Sequence, residues 1–161
     1  MAVGSASWSF TEEDFGAITR TLNKFLAETN ARCALIVDRS GQLVATVGEQ
    51  PQFDATAFAT LTAADFSANA QLAQLVGETD FNSLFHQGEK ESMYLADVAK
   101  RVILVALFDN RTTLGLVRLK IKDTVLELTK LFHDVFTRGK SAAQQPGLLA
   151  GADDEIDQLF G

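Results

Sequence analysis

The chain carries few of the residues that do covalent, redox or metal chemistry. Of its 161 residues, one is cysteine and two are histidine. With Cys33 alone, an internal disulfide and a thiol pair for metal or redox work are both excluded, and the residue reads as a small buried hydrophobe. His86 and His133 are not at metal-ligand spacing. His133 stands beside Phe132 in a helical pattern, and His86 beside a short strand, where hydrogen bonding at a strand end accounts for it. There is no Gly-rich phosphate loop, no GxSxG elbow and no Cys/His constellation. The sequence therefore predicts no catalytic residue, no metal site, no cofactor and no intrinsic enzymatic activity. Long apolar runs are also missing. The longest, Val102 to Phe108, is far short of the roughly 20 residues that span a bilayer. Met1 to Ser9 has neither a basic region nor a long apolar stretch, so no secretory signal is expected and the location predicted is cytoplasmic.

Positive charge is in deficit as well. A net charge of −7 and a pI near 4.7 argue against nucleic acid or an anionic membrane as partner. Four of the negatives, Asp153, Asp154, Glu155 and Asp157, lie close to the end of the chain. The body is thus only mildly acidic, and a basic surface on a protein is the natural counterpart of the tail.

What remains is ordinary for a soluble globular domain, with 47% hydrophobic and 22% charged residues. Thr11-Glu12-Glu13-Asp14 reads as a helix N-cap with acids in the first turn. Phe15, Ile18, Leu22, Phe25 and Leu26 continue its apolar face, which gives a helix over 11–29. The apolar run Ala31 to Val37, the turn Asp38-Arg39-Ser40-Gly41 and the alternating Gln42 to Val47 make a hairpin. Strands follow at Leu84 to Gln87, Ser92 to Val98 and Val102 to Phe108. Asp109-Asn110-Arg111-Thr112 closes the last strand and caps a third helix, whose face is Leu114, Val117, Ile121, Val125, Leu128, Leu131, Phe132 and Val135. Arg111, in a turn, and Arg118, on a packed helix, read as salt-bridging residues rather than arginine fingers.

Between Phe53 and Val76 lies a second helix, with Gly77 placed as its C-terminal cap. Phe58, Leu61, Ala68, Leu72 and Leu75 recur every three or four positions and predict the face turned to the core. The opposite face, Thr56, Ala59, Thr60, Ala63, Ser67, Ala70, Gln71 and Gln74, has no charge and little bulk, which suits close approach of another backbone. Phe66 flanks it, as core or as an interface anchor.

Residues 139–152 have linker composition, and some fourteen flexible residues reach about 20 Å. Beyond them, Ile156, Leu159 and Phe160 are spaced i, i+3, i+4 behind Asp153, Asp154 and Glu155, an acidic amphipathic turn suited to docking. Ordering eight residues costs roughly 1–2 kcal/mol each, against about 1.5–3 kcal/mol for each of three buried side chains. Docking is therefore weak unless the rest of the chain holds the peptide near its target. The resulting division is a disordered 1–9, a domain at 10–138, a linker at 139–152 and a docking tail at 153–161.

The order helix, two strands, helix, three strands, helix resembles the Roadblock fold, an α+β sandwich of an antiparallel sheet with helices on its faces, dimerising through the central helix and the sheet edge. Leu35-Ile36-Val37-Asp38-Arg39-Ser40-Gly41-Gln42-Leu43, Leu61-Thr62-Ala63, Phe85-His86-Gln87-Gly88, the block Leu107 to Leu119 and the tail Asp153 to Phe160 are similar to the bacterial gliding-motility regulators of the MglB type. Phe108 to Leu119 is the most specific piece. The resemblance implies a cytoplasmic homodimer, concentrated at a cell pole, that binds an MglA-like small GTPase with two regulator subunits per GTPase. It implies acceleration of GTP hydrolysis by ordering the GTPase's own catalytic residues. Carried onto this sequence, the GTPase contact falls on Thr60, Ala63, Phe66, Ser67, Ala70, Gln71 and Gln74, and tail docking on Asp153, Asp154, Ile156, Leu159 and Phe160. The second helix departs from the family's pattern at Asp65, Phe66, Asn69 and Gln71. Two other readings stand beside this one: a Roadblock adaptor that scaffolds a GTPase or polarity protein without changing hydrolysis, and a monomeric small-molecule sensing domain of profilin- or PAS-like topology.

Overall fold

A computed structural model describes residues 10–79 and 82–144. The elements follow the expected order: α1 (Glu12–Thr29), β1 (Cys33–Asp38), β2 (Leu43–Gly48), α2 (Ala55–Leu75), β3 (Ser83–Gln87), β4 (Ser92–Val98), β5 (Val102–Phe108) and α3 (Leu114–Gln144). All pairings are antiparallel, in the strand order β2-β1-β5-β4-β3. β2 and β3 are thus the edges, and the long apolar β1 and β5 lie side by side within the sheet.

Two clusters on the two faces of the sheet explain why those strands are apolar at every position rather than at every second one. Ala34, Ile36, Leu104 and Ala106 face α1 and α3, against Ile18, Leu22, Phe25, Val117, Ile121, Leu128 and Phe132. Cys33, Leu35, Val37, Ile103 and Val105 face the other way, against Ala59 and Phe66 of α2. The architecture is three layers: α1 with α3, the sheet, and α2. Burial pushes the Cys33 thiol up to about 11, with Glu49 adding to the rise and Arg32 opposing it, so the side chain stays protonated.

α1 starts where the acids of its first turn predict. The Thr11 side chain accepts from the Asp14 N–H and the Asp14 carboxylate accepts from the Thr11 N–H, a reciprocal cap. Burial alone would raise the Asp14 pKa, but that backbone N–H together with the Arg138 guanidinium and the Thr11 side chain outweighs it, and the carboxyl is held below its ordinary value. α1 and α3 run antiparallel, tied by Arg138–Asp14, by Lys24–Glu127 at 3.0 Å and by Lys120–Glu28 at 3.7 Å. Phe15, expected on the inner face of α1, is instead 44% exposed.

At the far end α3 runs through Gln144, so the linker does not begin at 139. Extending an existing helix by one residue costs far less than starting one, and Ser141-Ala142-Ala143-Gln144 offers no breaker. Nor do residues 109–112 cap this helix: Thr113 Oγ1 accepts from the Leu116 N–H at 3.3 Å. The N-terminus 1–9, the rest of the expected linker and the tail 153–161 lie outside the described residues.

Candidate functional site

α2 is the helix with the least commitment to the rest of its own chain. Asp54 caps it, its carboxylate accepting from the N–H groups of Thr56 at 3.0 Å and Ala57 at 3.3 Å. The face on the sheet is Ala59, Thr62, Ala63, Phe66, Asn69 and Ala73. The three alanines let the helix axis come close, and Phe66, 1% exposed, is the large side chain buried on this face. The Arg39 guanidinium stacks 5.5 Å over the Phe66 ring and pairs with Asp97, clamping the ring from the hairpin side.

The β1–β2 hairpin sets the position of this helix. Asp38 Oδ1 accepts from the N–H groups of Ser40 and Gln42, both at 3.0 Å, and from Ser40 Oγ at 2.6 Å. Gly41 then takes φ +95°, and a Cβ there would sit 3.2 Å from Thr60 Cα. Glycine suits the position on both counts: the left-handed backbone strains any other residue, and the approach of α2 leaves little room for a side chain.

The orientation of α2 corrects the sequence reading. Leu61, Leu72 and Leu75, expected in the core, are 69%, 56% and 82% exposed, and Val76 just beyond them is 68% exposed. Ala59 and Ala63, expected on the outward small face, are sealed against the sheet, and Phe66 is core. Of the residues assigned to the partner contact, Thr60, Ser67, Gln71 and Gln74 are exposed, Ala70 is half-buried, and Ala63 and Phe66 are not on the surface. Periodicity could not choose the face because α2 is apolar on two sides. One side, with Phe66 at its centre, meets the sheet; the other, Leu61, Ala64, Ala68, Leu72 and Leu75, meets water. Thr60, Ser67, Gln71 and Gln74 form an uncharged flank between the two.

Beside this stripe runs β3, an edge strand whose outer backbone groups have no neighbouring strand among the described residues. His86 Nε2 of β3 and Asp65 Oδ2 of α2 lie 2.6 Å apart, linking helix and edge. Asn69 is 8% exposed, and its Nδ2 has no hydrogen-bond partner among the described residues. Helix stripe, free edge and unmatched amide make one surface that the single chain leaves unfinished.

At one end of the sheet is a second feature, a cavity of about 280 Å³ lined by Arg32, Cys33, Pro51, Phe53 and Leu107 among others. Its charged groups engage one another. Arg32 Nε donates to Glu49 at 2.8 Å and a terminal nitrogen of Arg32 pairs with Glu91. Arg111 donates to Glu49 and to Asp109, both at 3.0 Å, the salt-bridging role expected of it. These guanidinium donors hold Glu49 and Asp109 below the usual carboxylate range. Arg118, in contrast, makes no ion pair among the described residues. No cluster of three or more His, Cys, Asp or Glu among the described residues is placed to hold a metal, and no helix among them is long and apolar enough to cross a membrane.

Comparison with known proteins places the unfinished surface in context. No curated protein matches the chain. Among solved structures, Myxococcus xanthus MglB is 43% identical with a TM-score of 0.72, covering 74% of this chain and 98% of its own. The gliding protein MglB of Thermus thermophilus is 30% identical with a TM-score of 0.75, covering 81% and 98%. An MglB in a tetrameric arrangement, also 30% identical, gives a TM-score of 0.76 over the same shares. Residues 18–108, from the middle of α1 to the last residue of β5, match the Roadblock/LC7 domain, and the chain belongs to that family.

Proposed function

We infer that this protein is a homodimeric regulator of an MglA-type Ras-like GTPase in bacterial polarity and motility, raising GTP hydrolysis without chemistry of its own. The observation that carries the reading is the double-sided α2: an exposed leucine stripe beside a free sheet edge, flanked by small uncharged residues, in a chain 43% identical to Myxococcus xanthus MglB.

The leucines are assigned to the dimer. Leu61, Leu72 and Leu75 from two copies supply six side chains, each contributing about 1.5–3 kcal/mol when fully buried. Bringing two chains together costs about 4–15 kcal/mol, so the leucines alone leave a narrow margin. Antiparallel pairing of β3 with its copy adds backbone hydrogen bonds and gives the Asn69 amide a place near the seam. The pairing places both α2 helices on one side of a continuous sheet.

The uncharged flank is assigned to the GTPase. Thr60, Ser67, Gln71 and Gln74 from each copy, with Ala70 at their border, form a ridge with little bulk and no charge, one ridge per subunit and two per partner. Catalysis remains in the GTPase. The dimer binds the hydrolysis-competent arrangement of its switch segments more tightly than the others, and the population shifts by that difference in affinity. Asp153, Asp154, Ile156, Leu159 and Phe160 supply a second, tethered contact to the same complex.

Single-turnover GTP hydrolysis by an MglA-type GTPase, with and without this protein, tests the reading. A rate increase that saturates at two chains per GTPase is expected. Saturable binding with an unchanged rate would leave an adaptor instead, and absence of binding would overturn the partner itself.

A further inference from the structure

The proposed partner contact leaves the outward face of α3 unexplained. Leu119 and Leu126 are 60% and 63% exposed there, with Leu116 at 36% beside them. Their spacing of three and seven puts them on one stripe, opposite Val117, Ile121 and Leu128 of the core. Arg118, Lys122 and Lys130 flank the stripe, all exposed and without an ion pair among the described residues. Asp123 lies within it, and Asp134 and the Lys24–Glu127 pair border it on the α1 side. A surface of leucines with a basic margin calls for an acidic, apolar partner.

The chain carries such a partner at its own end. Asp153-Asp154-Glu155-Ile156-Asp157-Gln158-Leu159-Phe160 has three apolar side chains, which share a stripe if the segment is helical, and four carboxylates. Length permits the contact. Leu126 lies roughly 27 Å back along the helix from Gln144, and the stretch from Gln145 to Ile156 reaches about 40 Å when extended. We propose that residues 153–160 dock on the α3 stripe of their own chain, with Ile156, Leu159 and Phe160 against Leu116, Leu119 and Leu126 and the carboxylates toward Arg118, Lys122 and Lys130. A tail seated there is withheld from other partners, so the α3 face acts as its resting berth. This proposal does not depend on the identity of the GTPase and is tested without one.

Thiol cross-linking of the full chain reads the contact. Asp123→Cys with Gln158→Cys places the probes within the stripe and on the tail while keeping every apolar residue of the pair; Cys33 is buried and stays out of the exchange. Thr46→Cys with Gln158→Cys is the control, since Thr46 is exposed on the opposite side of the sheet. The expected result is an intrachain disulfide forming at least about tenfold faster than the control pair. Reversing Lys122 and Lys130 to glutamate in the same background is expected to slow it by roughly fivefold or more. A disulfide between chains would overturn docking within the chain. A rate equal to the control would overturn the contact altogether, and a rate indifferent to the two reversals would overturn the charge match.

Discussion

Phe66 and Ser67 are neighbours in sequence and opposites in role. Phe66 is buried in the cluster that includes Leu35 and Val105, under the Arg39 guanidinium, whereas Ser67 faces water on the uncharged flank. Phe66→Ala is therefore expected to cost about 3–5 kcal/mol of stability in denaturant titration. Ser67→Arg is expected to leave stability within about 0.5 kcal/mol and, at the proposed partner contact, to abolish GTPase binding by setting bulk and an unpaired charge into the ridge. Loss of stability in the second variant, with binding retained, would reverse the assignment. At this scale the sequence is only partly readable. Thr11 and Asp14 announce their mutual cap three residues apart, and the Asp38 to Gly41 turn announces itself by composition. Ala63 and Ser67 look alike as small residues four positions apart, yet one faces the sheet and the other water. Only the location of Phe66 separates them, and a phenylalanine beside a bland face fits a core anchor and an interface anchor equally well.

Among the elements, α2 and α3 depart from expectation for different reasons. α2 has apolar residues around most of its circumference, so the period of 3.6 marks it as a helix without saying which side faces inward. Its leucines then read as core, when the alanines and Phe66 hold that place. α3 has a clear inner face, legible from its periodicity; its length is not, because Gly139 and the small polar residues after it resemble a linker until a long preceding helix is available to extend. The exposed stripe of α2 carries a direct consequence. Leu72→Glu with Leu75→Glu is expected to convert the proposed dimer to a folded monomer in sedimentation, with unchanged helix content by circular dichroism, because neither side chain supports the core of its own chain. A dimer surviving both changes would move the interface elsewhere.

For the whole molecule, the ion pairs at one end of the sheet join parts that are far apart in sequence: Arg32 at the start of β1, Glu49 after β2, Glu91 before β4 and Arg111 before α3. Glu49 and Asp109 have folded pKa values held below their unfolded ones, so each contributes stability that is fully present above about pH 5 and disappears as the pH falls through the lowered value. The stability difference between the parent chain and Arg111→Met is accordingly expected to be constant from pH 7 to about pH 5 and to shrink toward pH 3, measured by urea midpoints at each pH. A difference that grew on acidification would reject the sign. None of these pairs is readable from spacing, since the partners are up to 62 residues apart and only the fold brings them together.

Among the described residues, the sheet has α2 alone on one side and ends at β3. If two copies meet there, the product has twofold symmetry, while a single GTPase has none. Each ridge residue must then serve twice, in two unlike surroundings on the same partner, so a substitution that suits one half of the contact is exposed to penalty in the other. Such a platform resists gradual change in its residues and leaves variation to regions outside the seam, the α3 face and the chain end among them.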